Sequence, residues 1–202
     1  MITRSARLAV GLVLIGLSFS LCLRAHLGLG PWWVLQDGLH QHLGISLGVA
    51  SYLLNAAWLV AAMSLRERPG PGTFLGIGVG GLILDGMLPL VPAPHGLALR
   101  LTTLAVALVI LGLGAALVFS ASFGVSPLDA LMTGIFRRVP CSLRQVRIGL
   151  EVLGFALGWI AGGEVGVGCV VIGLGVGPSI QAWLKVLGAM PTKLEIEEAV
   201  PV

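Results

Sequence analysis

Six stretches of apolar sequence, each close to the ~20 residues that carry an α-helix across the hydrocarbon core of a bilayer, constrain this chain more than any other feature. They run from Leu8 to Leu23, Ile45 to Leu65, Gly72 to Val91, Leu101 to Phe123, Leu143 to Ala161 and Val165 to Leu184. Composition agrees: 56% of the 202 residues are apolar, 10% are charged, and the mean hydropathy of +1.01 lies outside the soluble range. The connecting stretches are too short to hold a soluble domain. Residues 1–202 are therefore read as a single transmembrane domain, with residues 191–202 expected to form a disordered cytoplasmic tail carrying Glu195, Glu197 and Glu198.

The net charge of +3 does not point to nucleic acid, because the twelve basic residues are scattered at the ends of the apolar windows. With the amino terminus inside, ten of them (Arg4, Arg7, Arg66, Arg68, Arg137, Arg138, Arg144, Arg147, Lys185 and Lys193) fall on the cytoplasmic side, against Arg24 and Arg100 outside. That asymmetry predicts an even number of spans in a cytoplasmic membrane, with both termini in the cytoplasm. Cys22, Cys141 and Cys169 are odd in number and far apart, which indicates neither a disulfide framework nor a zinc site.

Arg4 and Arg7 ahead of an apolar run also resemble a secretory signal. An internal repeat argues against cleavage. Sliding the chain by 96 positions places residues 8–92 on residues 104–188 without a gap, so the first window matches an internal one. Gly28, Pro31, Gly38, Gly70, Gly72 and Gly81 fall on Gly124, Pro127, Gly134, Gly166, Gly168 and Gly177, positions where backbone geometry or close helix approach is constrained. With three windows per copy, the second copy enters from the opposite side. The expected fold is an all-α integral membrane protein of about six transmembrane helices, arranged as two three-helix inverted repeats.

Each copy carries a break: Gly28, Gly30 and Pro31 in the first, and Gly124, Ser126 and Pro127 in the second. Proline at the first helical position, behind Gly30 or the capping hydroxyl of Ser126, predicts short helices starting at Pro31 and Pro127. Their unpaired N–H groups either face a shared central site, as in the broken helices of transporters, or belong to interfacial elbows. The first apolar window is long enough to span before its break, which favours elbows. The glycine-rich third windows hold Gly72, Gly76 and Gly80, and Cys169, Gly173 and Gly177, at the spacing of four that lets helices pack backbone to backbone.

Ionisable groups inside apolar windows are the more specific signal, since they are costly in lipid unless paired or hydrated. Asp85, Asp129 and Glu151 are candidates, and Arg147 lies one turn before Glu151, where the two can neutralise each other. Their repeat partners add Gln181 opposite Asp85 and Asn55 opposite Glu151, the latter expected to share a polar cavity with Glu151. His26, Asp37, His40 and His42 lie close together in sequence, yet their second-copy equivalents are not ligands, and a polar surface helix explains them without a metal. The string Gly44-Ile45-Ser46-Leu47-Gly48 spells G-x-S-x-G but opens a hydrophobic helix, and neither a metalloprotease motif nor a Walker lysine is present.

Four blocks together resemble the YczE/YyaS/YitT group of bacterial membrane proteins, in its YczE-like branch: Ala25 to Leu35, Arg68 to Thr73 with Asp85 downstream, Phe123 to Met132, and Gly162 to Gln181. The resemblance implies P-W-D in the first block and G-x-G-T in the last. This chain has Trp33 in place of the acid and Cys169 in place of the threonine, while Asp129 and Thr73 keep the expected types in the other copy. It also implies a multi-span protein of the bacterial inner membrane. The resulting expectation is a small-solute transporter or permease-like protein, without enzymatic activity, cofactor or metal. Its substrate-binding residues are expected to be Glu151, Asp129, Asp85, Asn55, Gln181, Gly30 and Ser126. The alternative is a non-transporting membrane partner, or a scaffold or regulatory subunit, that binds another membrane protein or its own copies through glycine-rich helix faces.

Overall fold

The computed structural model describes residues 2–67, 71–121 and 126–188, and every regular element among them is helical. In chain order these are α1 (Ile2–Ala25), α2 (Pro31–Leu43), α3 (Leu47–Ser64), α4 (Pro71–Met87), a 3-10 turn at Leu88–Leu90, α5 (Leu97–Ala121), α6 (Pro127–Phe136), α7 (Leu143–Ile160) and α8 (Val167–Val186). The expected disordered tail, residues 191–202, lies outside the described residues.

Local chemistry sets several boundaries. Pro31 opens α2 behind an extended Gly30, and a left-handed Gly44 closes it with its N–H on the His40 carbonyl at 3.0 Å. Ser46 caps α3 by accepting from the Val49 N–H, Ser126 caps α6 by accepting from the Asp129 N–H, and Ser142 with Gln145 forms a capping box on α7.

Four helices, α1, α3, α5 and α8, are long and apolar enough to cross a membrane. This corrects the expected six spans in two three-helix inverted repeats. At 17 residues α4 is shorter than any of these four and runs directly into the 3-10 turn at Leu88–Leu90, and α7 places Arg144, Arg147 and Glu151 within 18 residues. Two candidate spans fall in each half, where the inverted plan needs three. The halves also pack differently, since α3 lies closely along α4 and α7 makes no comparable seam with α8. Apolar content had marked six windows; helix length and the charges within each helix reduce them to four.

The bundle is built around α1 and α5, which run antiparallel with their backbones in close approach. A side chain at Gly11 would meet Val118 and the Gly114 carbonyl at 2.7 and 2.8 Å, so the small residues are what let the two axes approach. Further along, Ser18 donates to the Ala107 carbonyl at 2.7 Å, and Arg100 donates through Nε to the Ala25 carbonyl at 2.6 Å. α4 flanks this pair through Gly16 and Ile83, and α8 through Gly112 and Ser179. The outward faces carry large apolar residues such as Val60, Leu82, Ile160 and Leu174, as lipid contact requires.

Glycine also seats α2 against α7. A Cβ at Gly158 would strike the backbone of Val34 and Leu35, and one at Gly38 would come within 2.7 Å of the Gly158 carbonyl. Because backbone cannot rotate aside, Gly158→Val is expected to destabilise the fold by about 1–3 kcal/mol, read as a fall in the thermal midpoint in detergent. An unchanged midpoint would mean that α2 is not held against α7 in this way.

Candidate functional site

The segment after α1 turns back into the protein. His26 and Gly28 take left-handed conformations (φ 49° and 100°), reversing the chain within a few residues. A Cβ at Gly28 would collide with the Gly166 backbone N, so this position tolerates no larger residue. The Gly168 N–H donates to the Leu27 carbonyl at 2.6 Å and the Leu29 N–H to the Glu164 carbonyl at 3.3 Å, which fastens the turn to the start of α8. Buried Asp37 completes the attachment by accepting from the Glu164 N–H at 2.8 Å and from Gln41 at 2.7 Å.

α2 consequently begins inside the bundle. Trp33 stacks on Phe19 with ring centroids 4.8 Å apart, and Phe19 lies six residues back from the end of α1, a depth of about 9 Å. Val34, Leu35, Gln36, Asp37 and Gly38 are all buried. The helix start at Pro31 is thus packed inside the bundle, because the turn at Gly28 reverses the chain before α2 starts. At Pro127 the arrangement is similar, with Pro127, Ala130, Leu131 and Gly134 buried in α6. Its expected break residue Gly124 lies outside the described residues. Since α1 and α5 are antiparallel, α2 and α6 follow helices that end at opposite ends of the bundle.

Both helix starts line one half-open cavity of about 400 Å³. Trp32, Trp33 and Gln36 come from α2, Ser126 to Leu128 from the start of α6, and Ser51, Asn55 and Trp58 from α3, while aliphatic residues of α1 and α4 close the rest. The Trp32 and Trp58 rings meet edge to face at 5.2 Å. No ionisable residue lines this cavity among those described. A smaller cleft of about 90 Å³ adjoins it across Trp32 and Leu128, and it is here that Asp129, Arg147 and Glu151 gather.

The residues expected to bind solute therefore separate. Asn55 and Ser126 line the cavity, whereas Gly30 does not, and a Cβ added to it would lie 3.1 Å from Ile172. Asp129 and Glu151 line the cleft, so Asn55 and Glu151 do not share one chamber. Arg147 donates to Glu151 at 3.1 Å, which makes them the expected i,i+4 pair, and Asp129 accepts from the Ser126 hydroxyl at 2.7 Å at the start of α6. Asp85 is elsewhere, accepting from the Ser46 hydroxyl at 2.7 Å and the Gly48 N–H at 2.8 Å, so it anchors the start of α3. Gln181 is exposed on α8, away from both spaces.

Ser46 of the G-x-S-x-G string is occupied in the same way, capping α3 and donating to Asp85. The histidine group disperses: His26 pairs with Glu164 at 3.0 Å, His40 bonds the Ile45 carbonyl, and Asp37 holds the Glu164 backbone. Among the described residues no three His, Cys, Asp or Glu side chains converge as metal ligands would. Sequence reasoning missed Trp32, Trp58, Gln36 and Ser51. The Trp32-Trp33 pair directly after the helix-opening Pro31 was the available signal.

An all-helical bundle with four candidate spans among the described residues defines a multi-pass membrane protein. The chain belongs to a family described as "Family of unknown function (DUF6198)", which matches residues 2–185. It is 31% identical over 184 residues to an uncharacterized protein of Haemophilus influenzae, covering 91% of this chain and 84% of the relative. It is 28% identical to the uncharacterized membrane protein YczE of Bacillus subtilis (80% and 76% covered) and 25% identical to the uncharacterized protein YyaS of the same organism (79% and 81%). The resemblance to the YczE/YyaS group therefore holds along most of the chain, and with it a place in a bacterial membrane. No solved structure matches.

Asp85→Asn should lose part of the cap on α3, lowering stability by about 1 kcal/mol while leaving ligand affinity unchanged. A binding titration beside a thermal melt checks both halves, and an affinity loss at intact stability would return Asp85 to the site.

Proposed function

We propose that the protein moves a small solute across the membrane, using the cavity between α2 and α6 as its binding chamber. The observation that carries this reading is the convergence of two proline-opened helix starts on one half-open space of about 400 Å³. Broken helices meeting at an internal site are how secondary transporters hold cargo away from lipid, and the volume lies within the ~300–1,000 Å³ typical of ligand pockets. In this reading Asn55, Ser126 and the first turns of α2 hold solute, while Asp129 and Glu151 in the adjoining cleft govern access or coupling. The site is a binding site and not a catalytic one. In this reading both termini lie in the cytoplasm, which the positive-inside rule supports, since Arg137 and Arg138 gather with Glu67 and Leu65 at one end of the bundle and Arg24 and Arg100 lie at the other.

A second reading rests on a different observation. Gly173 and Gly177 of α8 and Gly78 of α4 would meet nothing within 4 Å if given a Cβ, so their small size is not used for packing inside this chain. A partner helix, from another membrane protein or a second copy, could use that face instead.

Gly80 separates the two readings. It lines the cavity, and a Cβ there meets nothing within 4 Å. Gly80→Leu should fill the chamber without disturbing its neighbours, while leucine also favours the helix. In proteoliposomes loaded with a broad metabolite panel, Gly80→Leu should cut uptake of the transported solute by at least about tenfold, with Gly78→Leu, outside the cavity, close to wild type. Absence of uptake for every solute from a well-folded sample, together with a co-purifying membrane protein lost in Gly173→Leu, would transfer the assignment to the partner reading.

A further inference from the structure

The walls of the chamber specify a chemical class of occupant, an inference that rests on the cavity being a solute site. Two aromatic surfaces enclose it. Trp33 and Phe19 are stacked at an interplanar angle of 27°, and Trp32 and Trp58 meet edge to face at 80°. Aromatic walls in these geometries favour a planar guest by offset or edge-on contact. Charge is disfavoured, because no ionisable side chain lines the cavity among the described residues, and an ion moved there would lose its hydration without a counter-charge.

The hydrogen-bonding pattern narrows the class further. Gln36 donates through Nε2 to the Leu47 carbonyl at 3.0 Å, and Asn55 donates through Nδ2 to the Ser51 carbonyl at 2.9 Å. Carbonyl oxygens only accept, so these bonds fix both amides with the nitrogen toward the helix backbone. Their oxygens, Gln36 Oε1 and Asn55 Oδ1, have no donor among the described residues and are not sealed from space. These two acceptors, with the Ser51 and Ser126 hydroxyls the polar groups of a mostly apolar, aromatic lining, favour N–H or O–H groups on the guest, since an acceptor covered by a guest without a donor costs free energy.

We propose that the chamber binds an uncharged, planar aromatic solute bearing N–H or O–H donors, held between the tryptophan faces and donating to Gln36 and Asn55. The test uses the full-length protein in detergent and one ring carried in three charge states: indole-3-acetamide (neutral), indole-3-acetate (anionic) and tryptamine (cationic). Binding is read by calorimetry and by quenching of tryptophan fluorescence. The neutral amide is expected to bind at least about tenfold tighter than either charged analogue, and indole tighter than 1-methylindole, which lacks the donor. Asn55→Leu and Gln36→Leu should erase the second preference while retaining the first. Equal or tighter binding of a charged analogue overturns the proposal in the wild-type protein, whatever the variants do, and so does a phospholipid retained in the cavity that no analogue displaces. If none of the three binds but another class of solute is bound and taken up, this inference fails and the transport reading stands. If no solute of any class is bound or moved, both fall.

Discussion

The placement of α2 depends on a few backbone hydrogen bonds between residues 27–29 and residues 164–168. Gly168 bonds Leu27, Leu29 bonds Glu164, and the Asp37 carboxylate receives the Glu164 N–H. In a membrane these groups have no water to turn to, so irregular backbone persists only where the protein itself satisfies it. The bonds do more than stabilise a loop. They aim the first turn of α2 into the bundle, bring Trp33 onto Phe19, and leave a gap between α2 and α6 that becomes the chamber. Glycines at 28, 166 and 168 are required because the two segments touch backbone to backbone.

Polar residues in the bundle divide into those used in construction and those left open. Asp85, Ser46 and Asp37 are engaged with helix starts and backbone amides, Ser18 joins α1 to α5, and Arg147 neutralises Glu151. Gln36 and Asn55 differ, since each amide nitrogen is engaged while its oxygen has no donor among the described residues. A polar residue in an apolar window thus carries two kinds of information, and only its hydrogen-bond partners separate them. Asp85 and Asn55 looked alike as candidates, yet one fixes the start of α3 and the other faces the chamber.

Much was legible in the order of residues. Membrane residence follows from apolar content alone, the helix starts at Pro31 and Pro127 from proline with its cap, and the Arg147–Glu151 pair from a spacing of four. The span count was not, because hydropathy windows register apolar content and not helix length. At α4 the helix stops at 17 residues, before a 3-10 turn, and at α7 three charges interrupt the apolar run. Glycine spacing was ambiguous in a similar way: a Cβ on Gly173 or Gly177 would meet nothing within 4 Å, while Gly154 and Gly158, at the same spacing of four, hold α7 on α2.

The sequence by itself determined that this chain lives in lipid, where its helices begin and which family it belongs to, because hydrophobic transfer, caps and proline geometry act over a few neighbouring residues. Tertiary structure alone decided that the break after α1 turns inward, that α2 and α6 meet, and that three tryptophans and two amides face a common space. Those outcomes depend on contacts between segments more than a hundred residues apart, such as Leu27 with Gly168, whose geometry no local pattern records.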